Sequence, residues 1–187
     1  IAATKDFAAL ATAVAHPCDE TSLRGALEAR QEGMIAPILV GPRRRIESLA
    51  QSLSLDIAGL EIIDVAHSQA AAEKAVELVR SGKADLLMKG SLHTDELLHS
   101  VTAAATGLRT ERRLSHVFIM DVPGHEEPLL ITDAAINIFP DLDCKRDIIQ
   151  NAIDLAHVMG IAMPRVAVLS AVETINPKLA STLDAAA

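Results

Sequence analysis

The segment Leu86-Leu-Met-Lys-Gly-Ser-Leu-His-Thr94 joins an apolar run to a cluster of small and polar residues. A second segment, Leu129-Leu-Ile-Thr-Asp-Ala-Ala-Ile-Asn-Ile-Phe-Pro140, has the same design. We interpret each apolar run as a strand whose polar cluster follows the strand end. Ligands of open parallel sheets bind beyond the carboxyl ends of the strands. The two segments therefore predict a small-molecule site for a polar, anionic ligand.

Strand and helix signals alternate around the first segment. Four apolar runs predict strands, at residues 12–16, 37–41, 60–65 and 84–88. Helical periodicity predicts helices at residues 19–30, 42–53, 68–80 and 95–105. Asp19 supplies a cap for the first helix, and Pro42 occupies the first turn of the second. This alternation predicts an α/β fold with a parallel sheet that helices cover on both faces.

The stretch 107–113 breaks this alternation, and we interpret it as a boundary or hinge. The prediction is a first α/β domain over residues 1–110 and part of a second α/β domain over residues 111–187. The second domain would contain a hairpin-like strand pair, a long helix, a buried strand and the start of a helix, at residues 115–120 with 129–132, 143–159, 165–169 and 181–187. With few strands, it would have an uncovered edge.

Composition excludes several classes of protein. The chain has 187 residues, half of them hydrophobic, and a formal net charge of −8, which argues against a nucleic-acid partner. No apolar run approaches the length of a bilayer span, so no membrane partner is expected. Two cysteines and no evident signal peptide predict reduced thiols in the cytoplasm. Because the chain begins at Ile1 rather than Met, we expect a longer gene product. Zinc-ligand and nucleotide-loop spacings are lacking, so no metal site is predicted.

The first polar cluster offers several contacts for an anion. Lys89 places a point charge beside Gly90, whose missing Cβ permits close backbone approach. The alternative is an ordinary surface lysine. Ser91 and Thr94 could donate to phosphate, while Thr94 could instead cap the next helix. His93 could orient or protonate a ligand, or be a surface histidine.

The second cluster and the boundary stretch add further candidates. Ser115 could donate its hydroxyl hydrogen to a phosphate or carbonyl oxygen of a ligand, or simply end a strand. Asp133 and Asn137 lie four residues apart and share a face if a helical turn starts there, although Asp133 could instead cap that turn. Arg109 and Arg112 suit the phosphates of a nucleotide-containing ligand, with a solvated charge cluster as the alternative.

Several stretches, in their order and spacing, resemble the phosphate acetyltransferase and phosphate butyryltransferase family. They are residues 16–23, 38–42, 84–90 with His93-Thr94, 107–110, 115–120, 131–137 with Pro140, and 166–170 with Glu173. The Lys89-Gly90 pair and Glu173 are similar to the butyryltransferase-like branch. That branch includes a domain fused to an enoyl-CoA hydratase module in some bacteria.

The resemblance implies two α/β domains similar to those of isocitrate and isopropylmalate dehydrogenases, with an active site in the interdomain cleft. It implies transfer of an acetyl or butyryl group between coenzyme A and phosphate by a homodimer, with an acyl phosphate as product. Acyl-CoA is then a substrate, and no covalently bound cofactor is expected. Arg109 and Arg112 become contacts for coenzyme A, and the substrate and phosphate contacts become Lys89, Gly90, Ser91, His93, Thr94, Ser115, Asp133 and Asn137.

One family motif has no counterpart in this sequence. Family members continue into a segment with a Ser-Arg pair followed by an Asp, which is thought to bind phosphate and take the thiol proton. We therefore assign no general base, and the lack of that segment could leave this chain inactive. Two other functions stay open, a silent regulatory module that binds acyl-CoA and a dehydrogenase of related fold. The second would need clustered metal ligands and an adenine-binding loop, which the sequence does not show.

Overall fold

The computed structural model describes residues 7–125 and 127–187. The chain divides into two compact units, Ile1–Arg109 and Thr110–Ala187. The first unit alternates strands and helices, in the order β1 (Leu10–Ala15), α1 (Glu20–Gln31), β2 (Ile35–Gly41), α2 (Arg43–Ser52), β3 (Glu61–Asp64), α3 (Ser68–Arg80), β4 (Leu86–Lys89) and α4 (Thr94–Thr102). The second unit contains β5 (Val117–Met120), β6 (Leu129–Thr132), α5 (Leu142–Val158) and α6 (Ala180–Ala186).

The four strands of the first unit form one parallel sheet with the order β3-β2-β1-β4, which confirms the predicted parallel α/β architecture. The chain steps outward from β1 to β3 and then crosses back to place β4 on the other side of β1. Ala15, the last residue of β1, lies opposite Lys89, the last residue of β4. Such a reversal of strand order leaves a crevice at the carboxyl ends of the strands. The ends of β1 and β4 therefore frame the candidate site of this unit.

Different helices cover the two faces of this sheet. Ala13 and Ala15 pack with residues of α3 and α4, while Val14 packs with α1 and α2. This division follows from the strand geometry, because successive side chains point to opposite faces. Both faces of β1 are thus buried, and the strand ends are held in fixed positions.

In the second unit, β5 and β6 pair in antiparallel fashion, with Val117 opposite Thr132, so the predicted hairpin-like pair is confirmed. The predicted buried strand at residues 165–169 is wrong. Within the described part of the chain this run joins no sheet, and Leu169 is 87% exposed. An apolar run becomes a strand only where a neighbouring strand satisfies its backbone groups, and here β5 and β6 pair with each other.

The N-cap of one helix is the predicted residue, and the starts of two other helices differ from the prediction. Asp19 caps α1 as predicted, since its Oδ1 accepts from the Ser22 amide at 2.8 Å. Pro42 occupies the N-cap of α2 rather than its first turn. His93 is the N-cap of α4 and Thr94 is its first residue, so the alternative role of Thr94 as a cap is wrong.

The tight approach of β4 to β1 gives a first prediction. A Cβ added at Gly90 would lie 2.3 Å from the Ala15 carbonyl oxygen and 2.6 Å from that of His16. Gly90→Ala should therefore lower the free energy of unfolding by about 1–3 kcal/mol, as overpacked cores do. Thermal and urea unfolding followed by circular dichroism would measure this loss.

Gly25 provides the matched control. It lies inside α1, and its added Cβ would meet only Met88 Cε, at 3.9 Å. Gly25→Ala should raise stability by about 0.5–1 kcal/mol, because alanine loses less backbone entropy in a helix. Equal effects of the two substitutions would contradict a specific backbone contact at Gly90.

Candidate functional site

The carboxyl ends of β1 and β4 are joined through backbone hydrogen bonds. The Gly90 amide donates to the Ala15 carbonyl at 2.9 Å, and the Ser91 amide donates to the His16 carbonyl at 2.9 Å. His16 follows β1 with a φ of 54°, a left-handed conformation that few non-glycine residues adopt. The missing Cβ of Gly90 permits this contact. Backbone groups of both strand ends therefore form most of the crevice floor and are hydrogen-bonded to each other.

The Ser91 side chain also bonds within this floor. Its Oγ donates to the His16 carbonyl at 2.9 Å and accepts from the Cys18 amide at 3.2 Å. The hydroxyl has one hydrogen, and that hydrogen is directed at the protein rather than at the crevice. Ser91 thus holds the two strand ends together, and its predicted donation to phosphate would require breaking this bond.

Charged groups lie at the rim of the crevice. Lys89 is exposed. Among the described residues, its Nζ contacts the Gly90 carbonyl oxygen at 3.4 Å. Hydrogen bonds from the Ser22 side chain and amide lower the pKa of Asp19, and the nearby charge of Lys89 lowers it further. The Lys89 amine is therefore available to a ligand. The Asp19 carboxylate, which Ser22 holds by hydrogen bonds, lies nearby.

His16 and Cys18 also belong to this site, although neither was among the residues predicted for it. Both are buried and lie within three residues of the end of β1, just as Lys89 ends β4 and Ser91 follows it. The strand-end rule applied to β1 would have found them. Burial raises the pKa of the Cys18 thiol, although the Arg45 charge opposes that shift. The contact that Cys18 makes in this site is the hydrogen bond from its backbone amide to Ser91 Oγ.

The other two predicted residues of the first cluster begin α4. His93 and Thr94 are both exposed, and among the described residues the His93 side chain makes no capping hydrogen bond to this helix. Asp95 and Glu96 lie in the same turn and interact favourably with the helix dipole. An anion at this helix end would therefore share the positive end of the dipole with two carboxylates.

The structure brings Asp133 and Asn137 of the second unit into direct contact. Oδ1 of Asp133 accepts from the amides of Ala135 and Ile136 at 3.1 Å, and Oδ2 accepts from the amide and side chain of Asn137. The residues between them form bends, so the helical turn that would put them on one face is not present, and Asp133 instead accepts from backbone amides, as its alternative role required. Burial alone would raise the pKa of Asp133, but these hydrogen bonds outweigh burial and lower it. The carboxylate is a stable acceptor that organises this loop.

Asn137 connects this loop to the segment that precedes β5, since its Nδ2 donates to the Leu114 carbonyl at 2.9 Å. The next residue, Ser115, accepts from Asn151 Nδ2 of α5 at 2.9 Å. The Ser115 hydroxyl thus uses an acceptor lone pair within the protein and keeps its hydrogen for another partner. Ser115, Asp133 and Asn137 therefore form one connected group in the second unit.

The arginines predicted to bind coenzyme A differ in their surroundings. Arg112 forms an ion pair with Asp154 of α5, and its hydrogen bond lowers the pKa of that carboxyl. Arg109 is exposed at the end of the first unit. A phosphate group would compete with Asp154 for Arg112.

Neither a metal centre nor a membrane segment is found in the described part of the chain. Residues 7–125 and 127–187 contain no group of three histidine, cysteine or acidic side chains placed to hold a metal ion. Among the same residues, no helix has the length and apolar character to cross a bilayer.

Comparison with known proteins gives a consistent set of relatives. Residues 68–187 match the family described as "Phosphate acetyl/butaryl transferase". The phosphate acetyltransferase of Rhizobium meliloti is 63% identical over 187 residues, which is 100% of this chain and 59% of that protein. The phosphate butyryltransferase of Clostridium acetobutylicum is 42% identical over 183 residues, 98% of this chain and 60% of that protein. The chain thus spans little more than half the length of these relatives.

Solved structures show the same similarity. A branched-chain phosphotransacylase from Enterococcus faecalis V583 superposes with a TM-score of 0.75 at 26% identity, over 95% of this chain and 62% of that one. A phosphotransacetylase from Streptococcus pyogenes also gives a TM-score of 0.75, at 22% identity, over 91% of this chain and 61% of that one. The second likeness concerns the fold alone.

The hydrogen bonds around Asp133 generate a prediction about stability. Asp133→Ala removes an acceptor for three backbone amides, so we expect a loss of about 1–2 kcal/mol, as for a lost helix cap. Asp143→Ala is the control, because the Asp143 side chain is exposed and its contact with Arg146 is a loose surface ion pair at 3.5 Å. The control should change stability by less than about 0.5 kcal/mol. Urea unfolding of each variant would measure both values.

The same comparison has a defined pH dependence. The pKa of Asp133 is lowered by folding, so its contribution is complete above the unfolded-state pKa of about 3.9 and is lost as the pH falls through the folded-state value. The stability difference between wild type and Asp133→Ala should therefore shrink on acidification. A difference that stays constant into strong acid would show that the ionised carboxylate is not responsible.

Proposed function

We propose that this chain, which belongs to the phosphate acetyl/butyryl transferase family, is part of an enzyme that moves a short acyl group between coenzyme A and phosphate. The family match over residues 68–187 carries the proposal, because it includes the polar segments that follow β4 and β6. Relatives named for acetyl transfer and for butyryl transfer both align with nearly the whole chain. We therefore propose an acetyl or butyryl group as the acyl substrate.

The reaction sets clear requirements for the site. A thiolate of coenzyme A attacks the carbonyl carbon of an acyl phosphate, a carbon–sulfur bond forms, and the carbon–oxygen bond to phosphate breaks. A free thiol has a pKa of about 8.5, so a base or a positive field must favour the thiolate near neutral pH. Hydrogen-bond donors and cations must stabilise the phosphate oxygens and the developing oxyanion.

We place phosphate contacts of the first unit at the end of β4. Lys89 supports this role because it is exposed, lies beside the crevice floor and has the Gly90 carbonyl as its described contact. Gly90 supports the site by letting the chain after β4 pass against the Ala15 and His16 carbonyls, which no larger residue would allow. His93 and Thr94 add the start of α4, whose first-turn amides attract anions. Ser91 acts by keeping β1 and β4 together.

We propose Ser115, Asp133 and Asn137 as substrate contacts of the second unit. Ser115 is our preferred donor, because its oxygen accepts from Asn151 and its hydroxyl hydrogen has no acceptor among the described residues. Asp133 and Asn137 support the site by shaping the loop after β6. Arg109 is our preferred contact for the phosphates of coenzyme A, since Arg112 is already paired with Asp154.

The wider assignments are part of the same proposal. We propose a cytoplasmic homodimer that uses acyl-CoA and inorganic phosphate and carries no covalently bound cofactor. The dehydrogenase-like two-domain arrangement with its interdomain cleft and the fusion to an enoyl-CoA hydratase module stay predictions from the resemblance.

The direct test is release of the coenzyme A thiol by the full-length protein. Acetyl-CoA and butyryl-CoA should each be tried with and without phosphate, and the thiol should be followed with a thiol-reactive dye. We expect release that depends on phosphate and is fastest with the preferred acyl chain. Absence of release, under conditions where coenzyme A still raises the melting temperature, would contradict the proposal in favour of a silent acyl-CoA-binding module.

The role of Lys89 can be tested in the same assay. Lys89→Met removes a charge-assisted contact of the kind that is worth about 1.5–3 kcal/mol, so the KM for phosphate should rise about tenfold or more. Lys83→Met is the control, because Lys83 is an exposed lysine paired with Glu61 at 2.7 Å, before β4 begins. We expect its KM to stay near that of the wild type. Equal KM values in the two variants would refute phosphate binding by Lys89.

A further inference from the structure

His16 is a buried histidine whose backbone is held in an unfavourable conformation. Its side chain and backbone are only 6% exposed, and its φ is 54°. The His16 carbonyl accepts three hydrogen bonds, from the Cys18 amide at 2.8 Å and from the Ser91 amide and hydroxyl at 2.9 Å. Strained residues persist where the surroundings over-determine them, and they concentrate at functional sites.

The hydrogen bonds of Ser91 determine which nitrogen of His16 carries the hydrogen. Nδ1 lies 3.1 Å from the Ser91 carbonyl oxygen, which can only accept. Nδ1 also lies 3.2 Å from Ser91 Oγ, whose single hydrogen is already donated to the His16 carbonyl. Nδ1 must therefore be the donor in both contacts. In the neutral imidazole, Nε2 then carries a lone pair and acts as an acceptor.

Nε2 has no hydrogen-bond partner among residues 7–125 and 127–187. Nε2 of His16 is unpaired but not completely buried. Among the described residues, the side-chain nitrogen that is both completely buried and unpaired is Nδ1 of His116. The end of β1 thus holds one acceptor without a partner among the described residues, within electrostatic range of the Asp19 carboxylate. Lys89 and the Asp19 carboxylate interact electrostatically at the crevice rim.

We infer that His16 Nε2 accepts a hydrogen bond from the O–H of phosphate and thereby makes the site select phosphate over sulfate. This inference rests on the proposed function and names the discriminating residue of its anion subsite. Hydrogen phosphate and sulfate have the same charge and nearly the same size near neutral pH, but only hydrogen phosphate has a hydrogen to donate. Sulfate would turn an oxygen lone pair toward the Nε2 lone pair, and the acceptor would stay unpaired. A site built to pair with a hydroxyl rejects a ligand that lacks it.

His16→Asn separates this role from the structural one. Asparagine tolerates the left-handed conformation, and its side-chain amide nitrogen can take the place of Nδ1 and donate to Ser91. The variant shortens the side chain so that no acceptor remains at the position of Nε2, while a donor to Ser91 is kept. His67→Asn is the matched control, because His67 caps α3 by accepting from the Ala70 amide at 3.2 Å and asparagine is a good N-cap.

The experiment is calorimetric titration of the full-length protein with potassium phosphate and with potassium sulfate at about pH 8, where an ordinary imidazole is neutral. Wild type and His67→Asn should bind phosphate at least about tenfold more tightly than sulfate. His16→Asn should bring the ratio close to one, mainly through weaker phosphate binding, with a melting temperature near that of the wild type.

Two results would overturn the inference: a wild-type protein that binds both anions equally, or an unchanged ratio in His16→Asn. If His16→Asn does not fold, nitrogen NMR of the imidazoles in the wild type gives the answer. Phosphate but not sulfate should then shift the acceptor nitrogen of a single histidine that has Nδ1 protonated, and identical shifts with both anions would refute the idea. The proposed acyl transfer is tested separately, because phosphate-dependent thiol release in the wild type does not require discrimination against sulfate.

Discussion

The first unit depends on the contact between the end of β1 and the residue that follows β4. Gly90 approaches the Ala15 and His16 carbonyls so closely that no side chain fits between them. This approach lets the Gly90 and Ser91 amides complete the hydrogen bonds of the strand ends, and it places Ser91 against His16. The exposed amine of Lys89 and the open nitrogen of His16 owe their positions to that one glycine. In this unit, close backbone packing therefore determines where the polar groups around the crevice lie.

Local sequence signals account for most of the fold of the first unit. Apolar runs and helical periodicity identified its strands and helices because each buried position is set by contacts within one or two elements. Helix caps could be predicted where a side chain bonds to nearby amides, as Asp19 does. The run at 165–169 could not be predicted in this way, since the same apolar residues suit a strand only when a partner strand is present. That condition is tertiary and is not contained in the run itself.

The candidate site was predictable in part, for the same reason. Lys89 ends a strand, and Ser91, Asp133 and Asn137 come after strands, so the strand-end rule selected them. It did not reveal that Ser91 donates its hydrogen to a residue 75 positions away, nor that Asp133 is occupied by its own loop. These assignments depend on which atoms meet, and residue type alone does not determine that. The tautomer of His16 follows from the fold in the same manner, through its contact with Ser91.

The contacts of Asp133 and the contact between His16 and Ser91 also differ in how far apart the bonded residues are along the chain. Asp133 contacts amides two to four residues ahead, whereas His16 and Ser91 are separated by 75 residues. Contacts between distant residues incur a larger chain-closure entropy and tend to form late in folding. The loop after β6 can therefore take shape while its surroundings are still disordered. The crevice of the first unit exists only after β4 has docked beside β1, so in this unit any anion binding would report completion of the whole sheet.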